Sequence, residues 1–345
     1  MAVIDANLGA IDLAESLPAK FAQTIASIPT QVDKIMFVVG NGPGVALAKE
    51  LSTAVEVDAE HYADASKRPV DDLMKASADM NPEVVIGIGG GAVIDMSKIA
   101  AKQAKAMHVA IPTVLSQDGL YATHAVVRFE DTVERYKCSP PDVVLAAQEQ
   151  INAAPNVFAR SCVGDILSNY SALLDCKLAH ANGIYTVSEE AVDLSRQAAD
   201  IAANWDIEKP AMELFLAVKL SGQAMQAAGD SAPCSGAEHK LVTALEKVTN
   251  RAIPHGLGVA LCTVVVAALR SEKELNNTIQ LASKFNLPAK CSDLDITEDE
   301  MVEALVLASE LRPSRFTVLD ANNFTEQNFR EALKSAEHMA ELVES

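Results

Sequence analysis

The sequence predicts two domains, an amino-terminal α/β domain built on a parallel sheet and a carboxyl-terminal domain made of helices. Three observations predict this arrangement. Strand-like and helix-like segments alternate up to about residue 150, three consecutive glycines follow one of the strands, and strand signals nearly vanish afterwards. A chain of 345 residues is long enough for two domains, which we place at residues 1–150 and 151–345.

The amino-terminal segments follow one another as a β-α-β-α-β pattern, which implies parallel strands with right-handed crossovers. Strands are predicted at residues 34–39, at 54–57, from 84, and at 108–111. The helices between them are predicted to end near residues 51, 78 and 106. Short strands at 126–129 and 143–145 are candidates for a hairpin. A ligand crevice is expected at the carboxyl ends of the parallel strands.

The carboxyl-terminal part is rich in alanine, leucine, glutamate and lysine with a helical period. Eight helices are predicted, at residues 156–180, 188–203, 211–228, 235–248, 256–271, 273–285, 297–310 and 325–342. We therefore expect an all-helical second domain.

The glycine turn is the most informative local feature. Gly89, Gly90 and Gly91 stand between an apolar strand and a helix, where backbone N–H groups and the helix N-terminus favour a phosphate. The pattern is neither G-x-G-x-x-G nor a Walker loop. We interpret the turn as a pyrophosphate site, with Asp95 on a polar part of the ligand. The alternative is a tight turn with a surface ion pair between Asp95 and Lys98.

Other polar residues are expected near the same crevice. Asp58 follows the predicted strand at 54–57, where it could bind an adenosine ribose. Thr113 and Ser116 follow the strand at 108–111 and are candidates for the cofactor ring. Asp118 is a candidate for a substrate hydroxyl, with an Asp-Gly turn as the alternative.

Composition narrows the class of partner. The formal net charge of −19 argues against nucleic acid or an anionic membrane surface. The six cysteines form no CxxC pair, which favours reduced, buried thiols in a cytoplasmic protein. The first residues lack the pattern of a signal peptide, and the apolar run at 257–269 is too short to span a bilayer.

Three further residues are candidate metal ligands. Asp165 adjoins the apolar face of a helix, where its charge needs a partner such as a metal ion, a cap or a hydroxyl. His239 lies in the first turn of a helix, after a possible capping box of Ser235 and Glu238, and His255 precedes the next apolar helix. Two histidines and a carboxylate suit catalytic zinc or ferrous iron, although core or capping histidines are the commoner case.

Together these motifs resemble the glycerol-1-phosphate dehydrogenases, within the superfamily of iron-dependent alcohol dehydrogenase, glycerol dehydrogenase and dehydroquinate synthase. The residues that carry the resemblance occur in the family's order at residues 89–98, 111–119, 164–170, 235–239 and 255–256. The stretch Gly164-Asp165 followed by Ser168-Asn169 is typical of the glycerol-1-phosphate branch.

The resemblance implies a Rossmann-like NAD(P)-binding domain followed by an all-helical metal-binding domain, the dehydroquinate synthase-like architecture. It implies Asp165, His239 and His255 as metal ligands, Asp118 as a substrate contact, and a cytoplasmic homo-oligomer that reduces a ketone phosphate for phospholipid biosynthesis. Zinc is the expected metal, with iron and nickel as alternatives; NAD and NADP both remain open. The predicted substrate is dihydroxyacetone phosphate, bound in the cleft between the domains.

Two departures from the family's pattern concern the substrate. The family usually has histidine where Gln117 stands, and the segment from Leu120 to His124 also differs. Two alternatives follow on the same scaffold: a dehydrogenase for another polyol, or a cyclase of the dehydroquinate synthase type. A nucleotide-binding protein without enzymatic activity is the third hypothesis.

Overall fold

The protein is described here by a computed structural model, which covers residues 3–4, 11–12, 16–29, 31–40, 42–55, 58–62, 65, 69–129 and 132–344. The chain forms two compact units. The first comprises Met1–Leu115, Gly119–Pro155 and Pro210–Met212. The second comprises Ser116–Asp118, Asn156–Lys209 and Glu213–Ser345.

The first unit contains short and long strands with helices between them. Its strands are β1 (Val3–Ile4), β2 (Ile11–Asp12), β3 (Lys34–Val39), β4 (Asp58–Tyr62), β5 (Val84–Gly89), β6 (Met107–Pro112), β7 (His124–Phe129), β8 (Thr132–Lys137) and β9 (Val143–Val144). Its helices are α1 (Leu17–Ala26), α2 (Pro43–Thr53), α3 (Val70–Met80), α4 (Gly91–Ala104) and α5 (Gln148–Ala153).

The main sheet of this unit is parallel, as the sequence predicts. Among the described residues it has the strand order β4-β3-β5-β6-β9. Successive side chains of β3 alternate between the two faces. Phe37 belongs to a core with Phe21 and Leu51, from α1 and α2. Met36 belongs to a second core with Leu73 of α3. The sheet is therefore covered by helices on both faces, as a doubly wound α/β fold requires.

Two strand predictions are wrong in detail. Of the strand predicted at 54–57, residues 56–57 lie outside the described residues, and Ala54 and Val55 are not in a strand; β4 spans Asp58–Tyr62, so Asp58 belongs to a strand instead of following one. In the predicted hairpin, β7 pairs antiparallel with β8, whereas β9 joins the edge of the main sheet beside β6. Residues 132–137 are mostly polar, so the search for apolar runs did not predict a strand there.

The second unit is helical. Its helices are α6 (Asn156–Ala181), α7 (Glu189–Asn204), α8 (Phe215–Ala228), α9 (Ala237–Thr249), α10 (His255–Arg270), α11 (Glu272–Lys284), α12 (Glu298–Glu310), α13 (Val318–Ala321) and α14 (Glu326–Glu344). Each of the eight predicted helices corresponds to one of these within a few residues, and the short α13 has no counterpart among the predictions. Its apolar core unites side chains of α9, α10, α12, α13 and α14.

Two composition-based expectations can be compared with the structure. All six cysteines are buried and none is in a disulfide. Among the described helices, none combines the length and the apolar composition that a membrane-spanning segment needs.

A buried histidine lies between α4 and the sheet of the first unit. The Nε2 atom of His108 lies 2.7 Å from the Ser97 hydroxyl, which itself donates to the carbonyl of Ile94. A side chain at Gly87 would collide with Ser97, so the glycine makes room for this pair. Burial, and secondarily the charge of Lys98, lower the pKa of His108 to about 3.

We expect His108 to weaken the folded state in acid. Between pH 6.5, its ordinary pKa, and about 3, the unfolded chain binds a proton that the folded protein excludes. The free energy of unfolding should therefore fall as the pH falls through this window, by about 2 kcal/mol between pH 6.5 and 5. Denaturant titrations at several pH values give the free energy of unfolding of the wild type and of His108→Gln. The difference between the two proteins isolates the contribution of His108. Parallel pH profiles for the two proteins would refute the assignment.

Candidate metal centre

The second unit brings Asp165, His239 and His255 together from three helices. Nε2 of His239 lies 3.3 Å from Asp165 Oδ1, and Nε2 of His255 lies 3.4 Å from the same oxygen. One ligand atom from each residue lies within 4.8 Å of the others. Tetrahedral ligands about 2.0–2.1 Å from zinc are roughly 3.3 Å apart, so the two measured separations fit a shared ion.

Burial supports the same interpretation. Asp165 is 1% exposed, and its Oδ1 atom faces the two histidine rings without a well-aligned hydrogen bond. A buried carboxylate oxygen without a partner is costly, and a cation would satisfy it. The side chain of His255 is 39% exposed, so the cluster has one accessible side. Two imidazoles, one carboxylate and an accessible side are the features of a catalytic divalent-metal site.

The electrostatics of the cluster favour positive charge at its centre. Burial by itself raises the pKa of Asp165, but the two histidines override it and hold this pKa well below its usual range. Burial by itself lowers the pKa of His239, but Asp165 and Glu238 raise it to about 10. The carboxylate is therefore held in its charged form, which is the form that ligates a metal.

Close backbone contact between α6 and α10 sets this geometry. A Cβ atom at Gly164 would lie 2.5 Å from the carbonyl oxygen of Gly256. A Cβ atom at Gly256 would lie 2.6 Å from the carbonyl carbon of Ser161. Ser161 Oγ also accepts from the Gly256 N–H at 3.1 Å and donates to Ser116 O at 2.9 Å. The glycines beside Asp165 and His255 thus let these two candidate ligands approach each other.

Asp118 lies beside the cluster. Its backbone N–H donates to Asp165 Oδ2 at 2.9 Å, and its own carboxylate accepts from Ser221 Oγ at 2.6 Å. Burial and the neighbouring Asp165 raise the pKa of Asp118 to about 7. Asn169 donates in turn to Ser221. The sequence contains no signal for Ser221, because a serine inside an apolar helix is not unusual.

The predicted capping box of Ser235 and Glu238 is wrong. Helix α9 begins one residue later than such a box requires, and its N-cap is Gly236. Glu238 is completely buried and lies beside His239 Nδ1 at 3.0 Å. Burial opposes its charge, but the hydrogen bond to His239 keeps the pKa of Glu238 below its usual value. Sequence reasoning therefore missed the contact of Glu238 with a candidate ligand.

The candidate cofactor residues of the glycine turn lie at the carboxyl end of β5. Gly89 ends β5, Gly90 is the N-cap of α4, and Gly91 begins this helix. A Cβ atom at Gly89 would lie 2.9 Å from the side chain of Val93, so packing also favours glycine there. The Thr113 N–H donates to the Gly89 carbonyl. Thr113 and the glycine turn thus stand at the same edge of the sheet.

Asp95 and Lys98 form an ion pair of 3.1 Å that is buried, so the alternative of a surface pair is wrong. The other oxygen of Asp95 accepts from the Val126 N–H, and Lys98 also donates to the Gly119 carbonyl. These contacts attach α4 to β7 and to the residues after Asp118.

Two other candidates occupy positions that the sequence did not anticipate. Asp58 is the first residue of β4 and pairs in register with Lys34, the first residue of β3. It therefore lies at the amino ends of the parallel strands. The argument that it follows a strand, on which its ribose assignment rested, therefore no longer holds. Ser116 belongs to the second unit, where its carbonyl accepts from Ser161.

The comparisons with known proteins agree with this fold. Residues 30–155 match the family of iron-containing alcohol dehydrogenases. The structure is similar to that of a probable glycerol dehydrogenase from Sinorhizobium meliloti 1021, with a TM-score of 0.75 and 20% identity, covering 94% of this chain and 95% of that chain. It is also similar to glycerol dehydrogenase from Schizosaccharomyces pombe, with a TM-score of 0.71 and 19% identity, covering 93% and 88%. The protein therefore has the fold of the iron-containing alcohol dehydrogenase class, as predicted.

Curated relatives narrow the class further. The chain is 32% identical over 288 residues to glycerol-1-phosphate dehydrogenase [NAD(P)+] of Methanospirillum hungatei, covering 81% of this chain and 77% of the relative. It is 33% identical over 292 residues to the enzyme of the same name from Methanoculleus marisnigri, covering 83% and 81%. The chain belongs to the glycerol-1-phosphate dehydrogenase family. The predicted resemblance is confirmed, and so is the predicted enzyme class, an oxidoreductase.

Proposed function

We propose that the protein reduces dihydroxyacetone phosphate to sn-glycerol-1-phosphate with NADH or NADPH, using a divalent metal. The convergence of Asp165, His239 and His255 carries the proposal of a metal centre. The substrate and the nicotinamide follow from the names of relatives that match about four fifths of the chain. Overall, the ketone gains a hydride from the nicotinamide and a proton.

The residues of the chain would serve this reaction in two ways. Asp165, His239 and His255 would hold the metal, and the accessible side of the cluster beside His255 would admit the substrate. Asp118, fixed by Ser221, would contact a substrate hydroxyl. The metal, when bound, supplies Lewis-acid stabilisation of the negative charge that develops on the ketone oxygen. We propose zinc, since an Asp-His-His donor set with an open position suits it.

We assign nicotinamide binding to the domain at residues 1–150, with Gly89, Gly90 and Gly91 at the pyrophosphate and Thr113 and Ser116 near the ring. We also assign Asp95 to the cofactor site. Its contacts with Lys98 and Val126 would hold the start of α4, which follows the glycine turn, in place. We assign the metal and the substrate to residues 151–345 together with Asp118. The expected homo-oligomer and the cytoplasmic location stay predictions.

The proposed reaction can be tested directly with purified protein. We expect dihydroxyacetone phosphate to drive oxidation of NADH or NADPH with sn-glycerol-1-phosphate as the product. Activity should be lost after treatment with a chelator and should return with zinc; parallel reconstitution with iron and nickel tests the choice of metal. Turnover of another polyol, or conversion of a sugar phosphate without net nicotinamide oxidation, would replace this proposal with one of the two alternatives. Full activity without metal would contradict the mechanism.

A substitution at Gly90 tests the cofactor assignment. A Cβ atom there would meet only the movable Val114 side chain, at 3.2 Å, so Gly90→Ala should change the free energy of unfolding by about 0.5 kcal/mol or less. The added methyl group would obstruct a pyrophosphate, so we expect the Kd for NADH to rise roughly tenfold. Fluorescence titration measures this Kd. Ser77→Ala, which removes a buried hydrogen bond to the Ala100 carbonyl, is the control for lost stability and should keep the wild-type Kd. Equal affinities for all three proteins would contradict the assignment.

A further inference from the structure

We propose that Glu238 is a positioning residue of the metal centre, which holds His239 in the tautomer and orientation that metal binding needs, and that Ser171 holds Glu238. The inference rests on the proposed function only insofar as the centre binds a divalent metal. Neither residue is among those that the sequence motifs assign to metal, cofactor or substrate.

The contacts of Glu238 define its role. Its Oε1 atom lies 3.0 Å from His239 Nδ1 and accepts from the Gly236 N–H at 2.5 Å. Its Oε2 atom accepts from Ser171 Oγ at 2.9 Å. The side chain is completely buried. Both carboxylate oxygens therefore have fixed partners, and the carboxylate cannot rotate without breaking hydrogen bonds in a dry environment.

The chemistry of the two side chains fixes the proton. A carboxylate only accepts hydrogen bonds, so the Nδ1 atom of His239 must carry hydrogen in this contact. In a neutral imidazole, Nε2 is then free of hydrogen and presents its lone pair. This atom lies 3.3 Å from Asp165 Oδ1. Without Glu238, the ring could carry hydrogen on Nε2 and donate it to Asp165, and the lone pair would point away from the metal.

Glu238 shares the start of α9 with a second carboxylate, Asp175. Asp175 accepts from the Ala237 N–H at 2.8 Å and is paired with Arg270 at 2.7 Å. This residue already satisfies one donor at the start of α9 and joins this end of the helix to α6 and α10. Glu238 accepts from a different donor, the Gly236 N–H, and its contact with the His239 ring is a further feature that capping alone does not require.

The test compares zinc affinity among variants, measured by competition with a chromophoric chelator and without any turnover. Glu238→Met keeps the length of the side chain but accepts no hydrogen bond, and we expect its zinc affinity to fall roughly 10–100-fold. Glu238→Gln keeps an acceptor for His239 Nδ1 and should restore most of the affinity. Ser171→Ala should also lower the zinc affinity, but by less. If Glu238→Met does not fold, Ser171→Ala is the variant on which the test is made.

A spectroscopic readout separates positioning from general support of the fold. In the Co²⁺-loaded protein, the Nδ1 proton of a metal-bound His239 should give a strongly shifted exchangeable proton NMR signal. We expect this signal in the wild type and in Glu238→Gln, and its loss through solvent exchange in Glu238→Met. Ser195→Ala removes a buried hydrogen bond to Pro233 in the same unit and serves as the matched control, with wild-type affinity and signal.

The outcomes distinguish this inference from the proposed function. Wild-type zinc affinity and an unchanged NMR signal in Glu238→Met would overturn the positioning role, whatever the activity of the enzyme. Absence of zinc and Co²⁺ binding in the wild type would overturn both. Tight metal binding that depends on Glu238, in a protein that does not reduce dihydroxyacetone phosphate, would support the inference and reject only the proposed substrate.

Discussion

Replacing Asp165 by alanine is expected to lower kcat/KM for ketone reduction by about 10³-fold, equivalent to about 4 kcal/mol of transition-state stabilisation. The reason is geometric. Asp165 Oδ1 is the atom that both His239 Nε2 and His255 Nε2 approach, at 3.3 and 3.4 Å. Without it, the two histidines share no anionic partner for a divalent ion. Steady-state kinetics of the purified variant measure the loss of kcat/KM, and metal analysis measures the loss of bound metal.

A thermal comparison shows whether the loss comes from the metal or from the fold. Zinc in large excess over its Kd should stabilise the wild type, by about 4 kcal/mol at a thousand times Kd. We expect no such stabilisation of Asp165→Ala. The variant Ser195→Ala should respond to zinc as the wild type does. A variant at Asp165 that retained stoichiometric zinc and near-normal kcat/KM would contradict the assignment of this residue as a ligand.

The second large effect is expected from Gly256→Ala. An alanine in a helix usually stabilises by up to about 1 kcal/mol relative to glycine. Here the added Cβ would lie 2.6 Å from the Ser161 carbonyl carbon and 2.8 Å from Ser161 Oγ. Backbone atoms cannot move aside as a side chain can, so we expect a net destabilisation of roughly 3 kcal/mol. Denaturant unfolding measures this change, and zinc titration should show weakened binding because His255 is the adjacent residue.

Gly258 offers a matched control on the same helix. The nearest atoms to a Cβ there would be side-chain methyl carbons of Ile253 and Val242, both at 2.8 Å. Side chains move aside more readily than backbone, so Gly258→Ala should cost about 1–2 kcal/mol, less than Gly256→Ala, and retain zinc. Equal effects of the two substitutions would show that the approach of α6 to α10 does not set the geometry of the metal centre.

The fold was largely predictable because hydrophobic periodicity is a local property. The strands at 34–39 and 84–89 are short apolar runs that are almost wholly buried, and helices such as α11 bury one apolar face; the sequence shows both patterns directly. The strand β8 is mostly polar and was missed, and Ala54 and Val55 of the strand predicted at 54–57 are not in a strand. Register and pairing depend on neighbours that are distant in the chain.

The candidate site was predictable only in part. The motif pattern pointed to Asp165, His239 and His255, and the structure brings them together. The residues that support them could not be found in this way. Glu238 fits the spacing of a capping box, and only the position of Gly236 as N-cap shows that it faces a histidine ring instead. Hydrogen bonds that join residues dozens of positions apart, such as Ser171 to Glu238, leave no local pattern in a sequence.

The tripeptide from Ser116 to Asp118 has a practical consequence for protein engineering. It is the one part of the chain before Pro155 that clusters with the helical unit, and it supplies an N–H to Asp165. A fragment that started at residue 151 would lack this donor to Asp165 Oδ2. Chimaeras that exchange whole domains between relatives should therefore move these three residues together with the helices. In the sequence, Gly119–Pro155 of the other unit lie between the tripeptide and the first of these helices.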